Sequence, residues 1–176
     1  MKWAAMLRGI NLGKRTLVKA DLLAAAEAAG FTEARTLLAS GNLVFEAGDR
    51  AAAAIERDLH EAVASATGIK SDVFVRNHAQ LVRVIAANPF PDAARDRPSR
   101  LIVTFYREPV PHGAAEKIAA AHDGPERLAA AGHELYIDFP LGQAESTLDR
   151  TMAKLKLLPS GTGRNWNTVQ KLADML

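Results

Sequence analysis

Apolar residues in this chain come in short runs whose period changes from one segment to the next. Trp3-Ala4-Ala5-Met6-Leu7 is an unbroken apolar run closed by Arg8, the pattern of a short buried strand. From Val18 to Ala29, Leu22, Leu23 and Ala26 recur at helical spacing, and Gly30 stands where a C-capping glycine belongs. Two strand-like runs, 34–39 and 43–47, flank Ser40-Gly41-Asn42, which reads as a hairpin. Residues 50–66 predict a second helix stopped near Gly68, and residues 70–76 a closing strand. The order β-α-β-β-α-β within residues 1–76 is the ferredoxin-like split pattern. It predicts an antiparallel sheet of strand order 4-1-3-2 with both helices on one face.

Residues 77–176 have the same ingredients in what reads as a different order. A helix at 78–87 ends at Asn88-Pro89, and a loop rich in Pro, Asp and Arg (Pro89 to Pro98) is the best candidate for a mobile connection. A strand at 100–106, a helix at 112–121, a strand pair at 126–130 and 133–139 turning at Ala131-Gly132, and a helix at 145–157 follow. The Ser160-Gly161-Thr162-Gly163 stretch reads as a loop leading into a last helix at 166–175. The expected architecture is α+β with two subdomains. Residues 1–76 form a ferredoxin-like unit and residues 77–176 a smaller α+β unit with a C-terminal helix.

Composition changes this picture little. The chain has 176 residues, enough for one large domain or two small ones, and is 48% hydrophobic. A net charge of +2 is far from the charge block of a strong nucleic-acid binder, so any electropositive function must come from local clustering. The absence of cysteine excludes disulfides, thiolate metal sites and cysteine nucleophiles, and fits a cytosolic protein. The apolar N-terminal run is too short for a signal-peptide core or a membrane span, so no membrane partner is expected.

Topology does produce local clustering. In a 4-1-3-2 sheet, the C-terminal end of strand 1 lies beside the N-terminal ends of strands 3 and 4. That edge gathers Arg8, Asn11, Lys14, Ser40, Asn42 and Lys70, with Arg15 on the same loop. Cations and short polar side chains at a strand-to-helix junction suit an anion. Taken singly, the glycines and asparagines are explained by turn chemistry. Arg8, ending an apolar strand, must pair with a carboxylate or face a ligand. The stretch Gly9 to Thr16 is not a P-loop: three residues separate its glycines, and Arg15 rather than Ser or Thr follows Lys14.

Near the C-terminus, Arg164-Asn165-Trp166-Asn167-Thr168 opens the last helix. Asn165 or Asn167 suits an N-cap, and Trp166 a core anchor. In the functional alternative, Arg164, Asn165 and Asn167 bind an anion and Trp166 forms a stacking wall. Arg8-Gly9-Ile10-Asn11 after a short strand, Ser40-Gly41-Asn42 before Val44-Phe45, and the Arg164 to Thr168 motif together resemble the DUF1697 family, bacterial proteins of unknown function. The resemblance covers essentially the whole chain. It implies two α+β subdomains, the first ferredoxin-like, and no established activity. Family sequences often carry a Lys after the Ser that precedes the penultimate helix; here Thr147 follows Ser146.

No reaction signature accompanies these motifs. The five histidines lack metal-ligand spacing, Ala64 stands where a zincin helix starting at His60-Glu61 needs its second His, and there is no Gly-x-Ser-x-Gly elbow. No metal, cofactor or catalytic residue is assigned. The best reading is a cytosolic binding protein for a phosphate-bearing or other anionic small molecule at the strand 1/strand 3 edge. The alternatives are single-stranded nucleic-acid binding on the sheet, an unassigned transferase-like enzyme, and a protein-interaction module. Against the first, strand 3 offers one aromatic, Phe45, and strand 1 only Trp3.

Overall fold

The structure is a computed structural model that describes residues 1–10, 16–38 and 41–176. It divides into two compact units, Met1–Val82 with Lys171–Leu176, and Arg83–Gln170.

The first unit runs β1 (Lys2–Leu7), α1 (Lys19–Ala28), β2 (Thr32–Leu37), β3 (Asn42–Glu46), α2 (Ala52–Thr67) and β4 (Val73–Asn77). The sheet order β2-β3-β1-β4, antiparallel throughout, is the expected one. Trp3, Ala5 and Leu7 join Leu43, Phe45, Val73 and Val75 in a core with Leu22, Ala25 and Ala26 of α1 and Ile55, Leu59 and Val63 of α2. The spacing of the α2 residues makes one apolar stripe. Ala4, Met6, Val44 and Phe74, on the opposite face, are buried too, which is why β1 reads as a continuous run rather than an alternation. Gly68 closes α2 in the left-handed conformation (φ 73°), its N–H donating to Ala64 O at 2.8 Å.

Two boundaries shift. β2 begins at Thr32, two residues before the expected start, and a register irregularity lies between Thr32 and Arg35, with Glu33 at φ 52°. β4 begins at Val73, so Lys70 lies in the connection from α2 rather than in the strand. There Ser71 Oγ donates to Arg8 O at 2.6 Å and Arg8 N donates to Asp72 O at 2.9 Å, continuing the β1–β4 contact without regular pairing.

The helix α3 (His78–Ala86) follows directly on β4, and the second unit continues with α4 (Pro91–Asp96), β5 (Leu101–Tyr106), α5 (Ala114–Ala121), β6 (Arg127–Ala131), β7 (Glu134–Asp138), α6 (Leu148–Leu155) and β8 (Gly161–Asn165), into α7 (Trp166–Met175). Here the sequence reading is corrected twice. First, Gly161–Asn165 is a strand paired with β5, not a loop. It makes the order β5-α5-β6-β7-α6-β8, with sheet order β6-β7-β5-β8, so the second half repeats the order of the first as well as its ingredients. Two glycines hid the strand. A Cβ at Gly161 would lie 2.6 Å from Tyr106 Cε1 and 2.8 Å from Phe105 O, so the tight approach to β5 demands glycine.

Second, the segment 89–98 contains α4, started by Pro91, and leads into a 3-10 turn at Pro98–Arg100. Arg97 fixes it to β7: its Nε donates to Asp138 Oδ1 at 2.8 Å, while Arg127 Nη2 reaches both Asp138 Oδ2 and Asp92 Oδ2 at 2.8 Å. Among the described residues, no helix is long and apolar enough to cross a membrane.

Candidate functional site

The sequence-predicted residues fall into two groups. Arg8, Asn42 and Lys70 belong to the first unit, and Arg164, Asn165 and Asn167 to the second. Asn11, Lys14 and Ser40 lie outside the described residues.

In the first unit, β1 delivers Arg8 to the sheet edge. Its side chain is half exposed, with Nη1 3.9 Å from Asp72 Oδ2. An ion pair this exposed contributes little to stability. Lys70 is exposed on the same edge, before β4. Asn42 is completely buried opposite Met6, and its Nδ2 donates to Leu37 O at 3.1 Å. The amide ties β2 to β3 at the hairpin rather than lying on the surface. Gly41, at φ 71°, accepts a hydrogen bond from Leu7 N at 2.9 Å, and a Cβ there would run into Ile10. That close approach explains a glycine in this turn.

Beside Gly41 opens a cavity of about 650 Å³. Ile10, Leu17, Leu22 and Gly41 supply its buried wall, and Thr16, Val18, Lys19 and Leu38 its exposed rim, with Thr36 between. The sequence reading missed these residues as a group. Leu17 and Leu22 look like ordinary helix-face positions. The exposure of Val18 (48%) and Leu38 (61%), which sets these residues apart, is revealed only by the folded arrangement. Leu38 is also held at φ 60°, unusual for a bulky side chain.

In the second unit, Arg164 is buried on β8 opposite Val103. Its Nη1 donates to Thr162 Oγ1 and Gly163 O, both at 2.8 Å, and desolvation pulls its pKa down to about 10, leaving it cationic at neutral pH. Asn165 caps α7, its Oδ1 accepting from Thr168 N at 3.0 Å. Trp166 is buried, which takes away the stacking wall, and Asn167 is exposed. The capping explanation therefore covers Asn165 and Trp166.

The nucleic-acid alternative needs Trp3 and Phe45 on an open sheet face. Both lie in the helix-side core, where Phe45 stacks on Phe31 with ring centroids 4.4 Å apart. Among the described residues, no group of three or more His, Cys, Asp or Glu could hold a metal ion. A buried polar cluster does occur in the second unit. His122 Nε2 lies 2.6 Å from Glu126 Oε2, with side chains 3% and 4% exposed, and His122 Nδ1 lies 3.3 Å from Thr151 Oγ1. Burial raises the Glu126 pKa, but hydrogen bonds from Ser146 and His122 outweigh it and hold the carboxyl below its ordinary value. The cluster is closed to solvent and ties the end of α5 to α6.

The model of DUF1697, described as a protein of unknown function, matches residues 1–136. No curated protein matches the chain. Among solved structures, a conserved bacterial protein from Streptococcus pneumoniae has a TM-score of 0.74 at 20% identity, over 99% of this chain and 97% of that one. At that identity the likeness concerns the fold.

Proposed function

The chain belongs to the DUF1697 family, whose function is unknown, and from its own residues we propose that it is a cytosolic protein whose first unit binds a small molecule bearing phosphate or another anionic group at the β1/β3 edge. The observation that carries this reading is the cavity of about 650 Å³ beside Gly41. It falls within the roughly 300–1,000 Å³ typical of small-molecule sites, which are mostly apolar with a few polar groups for orientation. Lys19 on its rim, with Arg8 and Lys70 on the same sheet edge, would supply the positive charge for the anion. Asn11, Lys14 and Ser40 are proposed contributors from the flanking segments. The burial of Trp3 and Phe45 weighs against single-stranded nucleic acid, because it removes the stacking surface such binding uses.

Thermal unfolding of the full chain against phosphate, nucleotides, acidic metabolites and short oligonucleotides tests the reading. A ligand of the native state at a hundredfold its Kd adds about 2.7 kcal/mol of stability. The expected result is a rise in Tm with one class of small anion, much reduced in Lys19→Ala and Arg8→Ala. A rise with oligonucleotides alone, or one unchanged in both variants, would reject this site.

A further inference from the structure

We infer that the molecule held in the first unit's cavity has a saturated aliphatic body and a single anionic head, as in a medium-chain carboxylate. The inference rests on the binding proposal above and narrows it to a chemical class. The apolar part of the described wall consists of Ile10, Leu17, Val18, Leu22 and Leu38, aliphatic without exception. No aromatic ring among the described lining residues offers a face for a base to stack on. No Asn, Gln, Asp, Glu or His among them could pair with the edge of a heterocycle either. A nucleobase entering this space would lose its water without gaining partners from the described lining residues, a cost that a saturated chain does not incur. Branched and unbranched hydrocarbon surfaces instead recover dispersion contacts and leave water together.

Among the described lining residues the polar groups are few and sit toward the outside. Thr16 and Lys19 are exposed on the rim, and Thr36 is partly buried. Among the described lining residues, one cation and two hydroxyls suit an anionic head, with the tail directed onto Leu17 and Leu22, which are 6% and 4% exposed. Leu38 completes the rim, large, apolar and 61% exposed, at a φ of 60° that favours Asn, Asp or Gly. An exposed leucine at that φ would cover the alkyl part of a bound chain.

Titration calorimetry on the full chain with butanoate, hexanoate, octanoate and decanoate, each below its aggregation concentration, tests this beside AMP and inorganic phosphate. Affinity is expected to rise about fourfold per added methylene, the transfer preference of one CH₂. Leu38→Asp should weaken octanoate at least tenfold while leaving Tm equal or higher, because Asp tolerates the backbone conformation and opposes the anion. Leu22→Trp, which fills the cavity, should abolish binding. Circular dichroism of that variant checks its fold, and Leu38→Asp carries the test if it fails. Affinity independent of chain length, or unchanged in Leu38→Asp, overturns the aliphatic assignment. Binding of AMP or phosphate without the carboxylates overturns it too, but leaves the anion-binding proposal standing. Binding of none of these ligands overturns both.

Discussion

Asp138 settles the conformation of a segment forty residues away in sequence. Its side chain is fully buried and receives Arg97 Nε at 2.8 Å and Arg127 Nε at 3.0 Å. Burial pushes its pKa up, but the hydrogen bonds from Arg97 and then Arg127 are together stronger and hold the carboxyl below its ordinary value. A depressed folded pKa contributes stability that is complete above the unfolded value, near 4, and is lost as pH falls through the folded pKa. Arg97→Ala is therefore expected to lower the urea midpoint clearly at pH 7, with the deficit shrinking as pH falls below the unfolded value and Asp138 takes up its proton. Equal deficits at the two ends of the titration would show that Arg97 acts by packing alone. None of this was legible locally. Pro, Asp and Arg crowded into 89–98 read as a mobile loop, because the partner that orders them is far along the chain. Burial of Asp138 itself has no signature in its flanking residues.

At the scale of elements, the two halves end in the same way. Arg76-Asn77 closes β4 against Ala4 and Trp3, and Arg164-Asn165 closes β8 against Val103 and Ile102. Both arginines are buried, and both turn a guanidinium N–H back to the preceding carbonyl, at 2.9 Å and 2.8 Å. Each asparagine then caps a helix: Asn77 Oδ1 accepts from Gln80 N at 2.9 Å, and Gln80 Oε1 accepts from Asn77 N at 2.8 Å in a reciprocal box. Asn77→Ala and Asn165→Ala should each cost about 1 kcal/mol in denaturant unfolding. Asn167→Ala, at an exposed position, should stay within about 0.5 kcal/mol. If Asn167 proved as costly as Asn165, the capping assignment would be wrong. Gly161→Ala should cost about 1–3 kcal/mol by overpacking against Tyr106 and the Phe105 carbonyl. The sequence suggested one of these caps, at 165 or 167, and left Asn77 unassigned, and it did not show that β8 is a strand. Period-two patterning needs side chains, and Gly161 and Gly163 supply none.

For the whole molecule, what could be read in advance divides along a physical line. Elements with a sustained apolar signal, the unbroken run of β1 and the helical stripe of α2, were readable because many residues agree on one answer. The candidate site was readable only as a list of cations near a sheet edge. Its described lining comes from separate places in the chain, Ile10, then Thr16 to Lys19 with Leu22, then Thr36, Leu38 and Gly41, none of which is distinctive alone. This division bears on where a ligand should act. All the cavity residues belong to the first unit, so bound octanoate should reduce local opening there. In hydrogen exchange, amide protection is expected to rise in residues 16–38, covering α1 and β2. The β5–β8 pairing of the second unit should exchange as in the free protein. Protection rising equally across both sheets would mean that the ligand merely stabilises the whole chain against global unfolding, which any native-state binder does. Protection confined to β8 and the start of α7 would move the site to the buried Arg164. The outcome therefore decides between the strand 1/strand 3 edge, which the sequence favoured, and the C-terminal basic motif, which it kept as an alternative.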